Sequence, residues 1–464
     1  MPIKILLLNP PYRKGRGFNR EGRCTQEASF WTTPWPPYSL ASIAAVLRED
    51  GHLVEVVDCP ARKVRTPGLG AIAARGAFDL VIAAVSTETI ESDMRELAGL
   101  KAERDPRIAV FGVHPTVRPQ DAIGPAPSGA DFVILHEPEE TARELAAALD
   151  AHGPVEAVRG IAYRDARTGS AALTAPRPYI ADLDSLPFPA WDLVDLDRYR
   201  LPVLGRRFVI VNTVRGCPFR CSFCTAQAYY GTAGRARSVP SLIAELRHVI
   251  ATVGVRNIFF WGDTFTLLKD QVRDLCRAII AGSLSVRWVA NSRVDAVDPE
   301  TLALMKRAGC WLLSFGIESG DEDILRACGK AVSLDRTVQA VRETRRAGIL
   351  SAGHFVFGLP GETVSSARRT VRFARRLGLD FANFYTAVPY PGSRLYDEAL
   401  ASGWIRETPW ARFNQNEFTM DLPTVDRARL AAVRRRAKRT FGLMPRRIET
   451  GLALLRLKFA ARES

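Results

Sequence analysis

Over the first 155 residues, short stretches that are apolar at nearly every position alternate with stretches whose apolar residues recur every three to four positions. The apolar runs are "IKILLLN" (3–9), "LVEVVD" (53–58), "DLVIAAVS" (79–86), "RIAVFG" (107–112) and "DFVILH" (131–136). Strands apolar on both faces, spaced by helical patterns such as Ser39 to Glu49 and Glu139 to Leu149, predict a parallel sheet covered on both sides. Residues 1–155 therefore read as an α/β, doubly wound (Rossmann-like) domain. Such sheets bind ligands outside the carboxyl ends of their strands, so "NPPY", "STET", "GVHP" and "HEPEE" are the candidate contact loops. Residues 156–205 hold "YIADLDSLPFPAWDLVDLDRY", rich in Pro and Asp and without a helical period, and read as an ordered interdomain linker.

A second alternation fills residues 206–402. Six strands, "FVIVNT", "NIFFWGD", "RWVANSR", "LLSFGIESG", "GHFVFGLPGE" and "FANFYTAVPYPGS", are each followed by a helical segment, which predicts a partial (β/α)6 barrel of the TIM type. Polar or Gly-rich motifs fall at the carboxyl end of every strand, where β/α barrels build their active sites. Residues 403–464 read as a helical, basic C-terminal extension.

Composition narrows the class without naming an activity. With 47% hydrophobic and 25% charged residues in 464, the chain has the make-up of a globular protein. No apolar run approaches the roughly 20 residues of a membrane-spanning helix. The opening "IKILLL" stops at "NPP" and reads as a strand, not a secretion signal. Eight mostly scattered cysteines do not suggest a disulfide framework, so a reducing, cytoplasmic setting is expected. Of the net charge of +14, nine charges arise in residues 426–464, which hold twelve Lys/Arg against three Asp/Glu. The basic character is thus local, and no nucleic-acid partner is expected.

The chemistry concentrates in "RGCPFRCSFCTAQAYYG", which sets Cys217, Cys221 and Cys224 within eight residues. A purely structural thiolate site fills all four coordination positions, whereas three thiolates leave one position open for water, substrate or cofactor. Buried thiols, or a zinc site completed by a distant ligand, are the plainer reading. The C-x3-C-x2-C spacing directly after a first barrel strand resembles the radical S-adenosylmethionine (SAM) superfamily. The resemblance implies a four-iron, four-sulfur cluster held by the three thiolates, with SAM chelating the fourth iron and yielding a 5′-deoxyadenosyl radical when an external donor such as flavodoxin or ferredoxin supplies an electron. It further implies Phe223 packed near the adenine, Gly262 and Asp263 of "WGD" near the methionine amino end, and Arg293 at the SAM carboxylate. Glu318 and Ser319 would meet the ribose, and Gly358 in "FVFGLPGE" would back the adenine. For each of these, ordinary strand-end turn chemistry or a surface ion pair is the alternative. No side chain is singled out as acting on a substrate.

A doubly wound domain ahead of such a barrel resembles the cobalamin-binding class of that superfamily. The D-x-H-x-x-G signature that supplies a cobalt-binding His is absent: Asp50 and His52 keep its first spacing, but Glu55 stands where Gly is required. The resemblance therefore implies cobalamin held without a protein His ligand to its cobalt, through Asn9, Pro10, Ser86, Thr87, Gly112, His114 and Glu137, with His136 an imidazole bonded to backbone. A domain that serves only as a docking surface is the alternative. In the tail, Leu430, Val433, Ala437 and Phe441 form one apolar face among arginines, and Ile448, Leu452, Leu455 and Phe459 form a second. Two readings stay open for residues 426–464: a peripheral contact with an anionic membrane, or a helix pair packed on the barrel. A Phe followed by Pro and arginines is similar to the tails of members that modify hopanoids and tetrapyrroles.

Together these imply an enzyme that functionalises an unactivated carbon of an apolar small molecule or lipid, with C-methylation expected. A radical SAM cyclase, coupling or rearrangement enzyme without methyl transfer is the alternative within the class. A non-catalytic iron–sulfur electron carrier or sensor is the alternative outside it, and an open iron argues against that. An RNA methylthiolating enzyme is disfavoured, because only Cys24 and Cys59 precede residue 217.

Overall fold

The computed structural model describes residues 2–12, 18–22, 26–27, 33–64, 69–70, 72, 76–123, 129–165, 167–201, 204–406, 409–442 and 450–455. Of the sequence expectations, Ile448 and Phe459 of the tail lie outside the described residues, as does Cys24.

The N-terminal half contains β1 (Lys4–Asn9), a small hairpin of β2 (Phe18–Asn19) and β3 (Gln26–Glu27), then β4 (Leu53–Asp58), β5 (Leu80–Ala84), β6 (Arg107–Phe111) and β7 (Phe132–Ile134). The five longer strands run parallel in the order β4-β1-β5-β6-β7, which places a topological switch point between β1 and β5. The fully apolar character of β1 has a direct cause. Ile5 and Leu7 join the core that continues toward the barrel, whereas Leu6 and Leu8 enter a separate cluster with Val81 and Val110 on the other face. Helices Tyr38–Glu49 and Pro138–Asp150 cover the first face; Leu40, Ile43, Ala44 and Leu47 form the apolar stripe of the former.

The sheet reaches further than the boundary at residue 155. Strands β8 (Ile161–Arg164) and β9 (Ala171–Leu173) add to it in antiparallel sense beside β7. At four and three residues, they are too short for a period-2 pattern to stand out from a loop. The connection beyond them carries three single 3-10 turns, at Leu183–Ser185, Trp191–Leu193 and Leu196–Arg198.

The second half is built on β10 (Val209–Arg215), β11 (Arg235–Ala236), β12 (Asn257–Gly262), β13 (Arg287–Ser292), β14 (Cys310–Glu318), β15 (Leu350–Phe357) and β16 (Phe381–Thr386). Six of these run parallel in sequence order, with β11 antiparallel on the outer edge of β10. Among the described residues no pairing joins β10 to β16, so the barrel is partial and its interior stays open.

Buried charge joins the two halves. Arg215, at the end of β10, donates from Nη2 to Glu139 Oε1 at 2.6 Å and lies 3.3 Å from Glu137 Oε1. Arg235 also reaches Glu137, at 2.8 Å. Tyr199 donates to Asp58 Oδ2 at 2.5 Å, tying the linker to the end of β4.

The structure separates the two readings of the tail. Helix Arg427–Gly442 packs against β16 and helix Val364–Arg376, and Leu430, Val433, Ala437 and Phe441 are buried in the barrel core. The Phe441 ring meets Phe384 of β16 edge-on at 6.1 Å. This first apolar face therefore belongs to the fold and is not free to lie on a membrane. Beyond it, Leu454 is buried, whereas Leu452 and Leu455 are exposed. No described helix is long and apolar enough to cross a membrane.

Candidate functional site

The three cysteines occupy the loop after β10, and its tight path is imposed from several sides. Gly216 sits at φ +87°, where a Cβ would fall 2.1 Å from the Ala233 carbonyl oxygen, so this position admits only glycine without displacement. Its N–H donates to Asp263 Oδ2 at 2.8 Å, fixing the loop to the end of β12. Gln227 Nε2 donates to the carbonyls of Cys217 and Phe219 at 3.2 and 3.1 Å. Ser222 is pinned through its backbone to both Cys328 and Leu395 at 2.8 Å.

Cys217, Cys221 and Cys224 all line one cavity of about 420 Å3 that opens into the barrel interior. Among the described residues, no three His, Cys, Asp or Glu side chains converge on a position that a single ion could share. A cluster that gives each thiolate its own iron does not need such convergence, and three thiolates with one side left open match the donor set of a four-iron cluster.

Four of the other sequence-predicted residues line the same cavity: Phe223, Asp263, Arg293 and Glu318. Arg293 donates to both carboxylate oxygens of Asp295 at 2.9 and 2.8 Å, and its guanidinium carbon lies 3.7 Å from the centre of the Phe219 ring, inside the cysteine loop. Glu318 ends β14 in the left-handed region, at φ +64°, just after a register shift against β15. Lys330 Nζ lies 2.7 Å from Glu318 Oε1 and 2.7 Å from the Gly316 carbonyl. Gly316 makes room for this, since a Cβ there would stand 2.8 Å from that Nζ. An ammonium, a guanidinium and two carboxylates beside the thiols can meet the amino, carboxylate and ribose groups of SAM.

Three of the residues expected at SAM lie off the cavity. Gly262 packs so closely on β10 that a Cβ would come 2.5 Å from Val214. Ser319 is fully buried and shares a hydrogen bond of 3.1 Å with Thr370. Gly358, at φ +88°, donates its N–H to Glu362 and faces Phe418.

At the carboxyl ends of the N-terminal strands, the expected contact residues are tied together by their own hydrogen bonds. Asn9 Nδ2 donates to Asp58 Oδ1 at 3.0 Å, and Arg20 reaches both Asn9 and the Pro10 carbonyl while pairing with Asp93 at 2.7 Å. Ser86 and Thr89 share a hydrogen bond of 2.9 Å. Gly112 lets the end of β6 press against Val85, whose carbonyl oxygen a Cβ would approach to 2.2 Å. Glu137 is spent on the arginines of the interdomain network and on the Ile180 N–H at 2.7 Å.

His114 is buried, with Nε2 3.0 Å from Asp121 Oδ2 and Nδ1 3.2 Å from Thr87 Oγ1, so both ring nitrogens are engaged. His52 precedes β4 and stands at the opposite, amino end of the sheet. His136 lies 3.4 Å from the Tyr179 hydroxyl, and burial pushes its pKa down. These strand ends present hydroxyl, amide and backbone groups suited to the polar rim of cobalamin; His114, with both ring nitrogens engaged, and His52, at the far end of the sheet, are not placed to bind its cobalt.

Lys330 was missed by sequence reasoning, because "CGK" follows the strand motif by twelve residues and carries no pattern of its own. Also missed were Asn291, Ser314, His354, Asn383 and Tyr385, which line the cavity from β13 to β16. A signal existed: polar residues at alternate positions inside strands whose other positions are apolar.

The family model described as the radical SAM superfamily matches residues 211–374, and the one described as the B12 binding domain matches residues 32–146. An uncharacterized methyltransferase of Pyrococcus horikoshii is 31% identical over 416 residues, covering 89% of each chain. An anaerobic magnesium-protoporphyrin IX monomethyl ester cyclase of Rubrivivax gelatinosus is 26% identical across 85% of this chain and 70% of its own. Among solved structures, the radical SAM methyltransferase TsrM of Kitasatospora setae, with cobalamin and a four-iron cluster bound, shares the fold with a TM-score of 0.68 at 19% identity, over 88% of this chain and 76% of that one. Both halves of the chain thus find their counterpart in one architecture, and the protein belongs to the cobalamin-binding class of the radical SAM superfamily, as an enzyme whose cofactors are a four-iron cluster, SAM and cobalamin.

Proposed function

We propose that this enzyme is a C-methyltransferase acting on an unactivated carbon of a largely apolar small molecule held inside the barrel. One observation carries the reading: the cavity that begins at the three thiols continues between the strands, walled by rings such as Phe259, Trp261, Trp311 and Phe381. A radical formed at the cluster end would meet a substrate there, shielded from water. SAM at the cluster supplies the radical that removes hydrogen, and cobalamin supplies the methyl group. In this scheme Cys217, Cys221 and Cys224 hold three irons, while Asp263, Arg293, Glu318 and Lys330 orient SAM. Asn9, Pro10, Ser86, Thr87 and Gly112 face cobalamin, with His114 holding Thr87 and Glu137 tying the loop after β7 to the linker and the barrel. An external one-electron donor of the flavodoxin or ferredoxin type completes the cycle.

The likeness to a methyltransferase over 89% of the chain supports methyl transfer, and the likeness to a cyclase over 85% supports the second reading, chemistry without it. Delivery from a membrane draws no support from the first face of the tail, which is core. The test needs no substrate. Enzyme reconstituted anaerobically with iron, sulfide and cobalamin, then reduced in the presence of SAM, is expected to release both 5′-deoxyadenosine and S-adenosylhomocysteine. Release of 5′-deoxyadenosine alone, with no demethylated SAM, would overturn methyl transfer in favour of the second reading.

A further inference from the structure

We propose that the floor of the barrel is a recognition subsite for a neutral hydrogen-bonding group, such as an amide, a hydroxyl or a ring N–H, carried on a flat apolar body, and that His354 and Asn383 are its principal contacts. The proposal rests on the reading that substrate occupies this barrel, and deepens it by naming the substrate's chemistry.

Strand register puts the polar residues in two adjoining layers. Gly316, His354 and Asn383 pair side by side across β14, β15 and β16, and Asn291 pairs with Ser314 across β13 and β14 one step nearer the strand starts. Asn383 Nδ2 lies 3.5 Å from His354 Nδ1, and both side chains line the cavity. The Tyr385 ring lies nearly parallel to the imidazole, with centres 5.8 Å apart, so one wall of the subsite is flat. Because these side chains stand on paired strands, they are held in place before any ligand arrives.

The charge distribution selects the ligand. Asp263, Arg293, Glu318 and Lys330 lie at the thiol end, and Glu21 on the hairpin side is turned toward the Ser39 N–H and hydroxyl, at 3.0 and 2.8 Å. Lys330 stands over Gly316, in the layer of His354 and Asn383, but its ammonium is spent on Glu318 Oε1 and the Gly316 carbonyl, both at 2.7 Å, so the subsite meets a neutral pair. The other described lining residues of these two layers carry no fixed charge. Burial pushes the His354 imidazole pKa down, which keeps this ring neutral at physiological pH. A carboxylate or phosphate lowered here would lose its water without gaining an unpaired cation, since Lys330 is held by Glu318, whereas an amide or hydroxyl would exchange water for Asn and His partners. The rings around the subsite favour a planar body.

The test uses 2-naphthamide and 2-naphthoate, which share a shape and differ in charge. Equilibrium dialysis against the cluster-loaded, cobalamin-supplied enzyme with SAM present is expected to show the amide held at least about tenfold more tightly than the carboxylate. His354→Leu combined with Asn383→Leu should erase this preference, and His354→Gln, which keeps a neutral donor and acceptor, should retain it. Release of 5′-deoxyadenosine by the same variants reports that barrel and cluster are intact; should the double variant not fold, Asn383→Leu alone must lower the preference. Equal binding, tighter binding of naphthoate, no binding of either probe, or a preference that survives loss of both side chains would overturn the proposal. An enzyme that discriminates the probes yet moves no methyl group would overturn the methyltransferase reading while leaving this one standing.

Discussion

Glu362 shows what a single buried residue can do to the whole chain. It follows the "FGLPG" turn, is fully buried, accepts the Gly358 N–H, and is pushed by burial up to about 8. Glu21 and Asp93 are likewise raised by burial, to about 7 and about 6. Each folded carboxyl keeps a proton that the unfolded chain releases near its ordinary value of 4.5 or 3.8. Their contribution to stability is therefore full below those ordinary values and is lost as pH rises through the folded ones. The thermal midpoint of the apo chain is predicted to fall between about pH 5 and pH 8.5, and Glu362→Gln, which keeps the acceptor without the titration, should flatten that fall. A midpoint with the same pH dependence in wild type and Glu362→Gln would contradict the assignment. The pattern of residues alone could not reveal this, because burial of the carboxyl depends on the turn and on a segment distant in sequence, from which the Thr424 hydroxyl donates to the Glu362 carbonyl at 2.6 Å.

At the scale of elements, all eleven strands expected from the apolar runs are present, because strands buried on both faces announce themselves. What escaped is what sequence periodicity cannot carry: β8 and β9 are shorter than a period can show, and β11 has two residues. The site divides in the same way. The cysteine loop, Asp263, Arg293 and Glu318 sit at strand ends, where position alone suggests function. Lys330 enters from a turn after the next short helix, and Ser319 and Gly358 turned to packing, Ser319 although Glu318 beside it lines the cavity. The loop itself makes a strong prediction. Gly216→Ala drives a Cβ toward the Ala233 oxygen in a left-handed backbone, a strain worth about 1–3 kcal/mol before any loop movement. Iron content after reconstitution should drop severalfold in this variant while far-ultraviolet circular dichroism stays that of the wild type. Full iron loading in Gly216→Ala would show that the loop does not need this path.

At the scale of the molecule, the tail helix closes the flank of the barrel, and residues far apart in sequence share one core. Leu430, Val433, Phe441 and Leu454 are withdrawn from water, at about 1.5–3 kcal/mol for each large apolar side chain fully buried. Truncation after Asp426 is therefore predicted to lower the thermal midpoint sharply or leave the barrel insoluble, as measured by differential scanning calorimetry of whatever soluble protein remains. A truncated chain with an unchanged midpoint would return the tail to the role of a detachable appendage. Basic charge and an amphipathic period fit a membrane face and a core-packed helix equally well, which is why the sequence left both readings open.

The central claim is that three thiolates leave one iron of a four-iron cluster open to SAM within this cavity. Electron paramagnetic resonance of the reduced, reconstituted enzyme tests it most directly. Adding SAM is predicted to change the spectrum of the reduced cluster, and replacing Cys217, Cys221 and Cys224 by Ala should remove the signal altogether. A cluster spectrum unaltered by saturating SAM, or one that persists in the triple variant, would contradict the account.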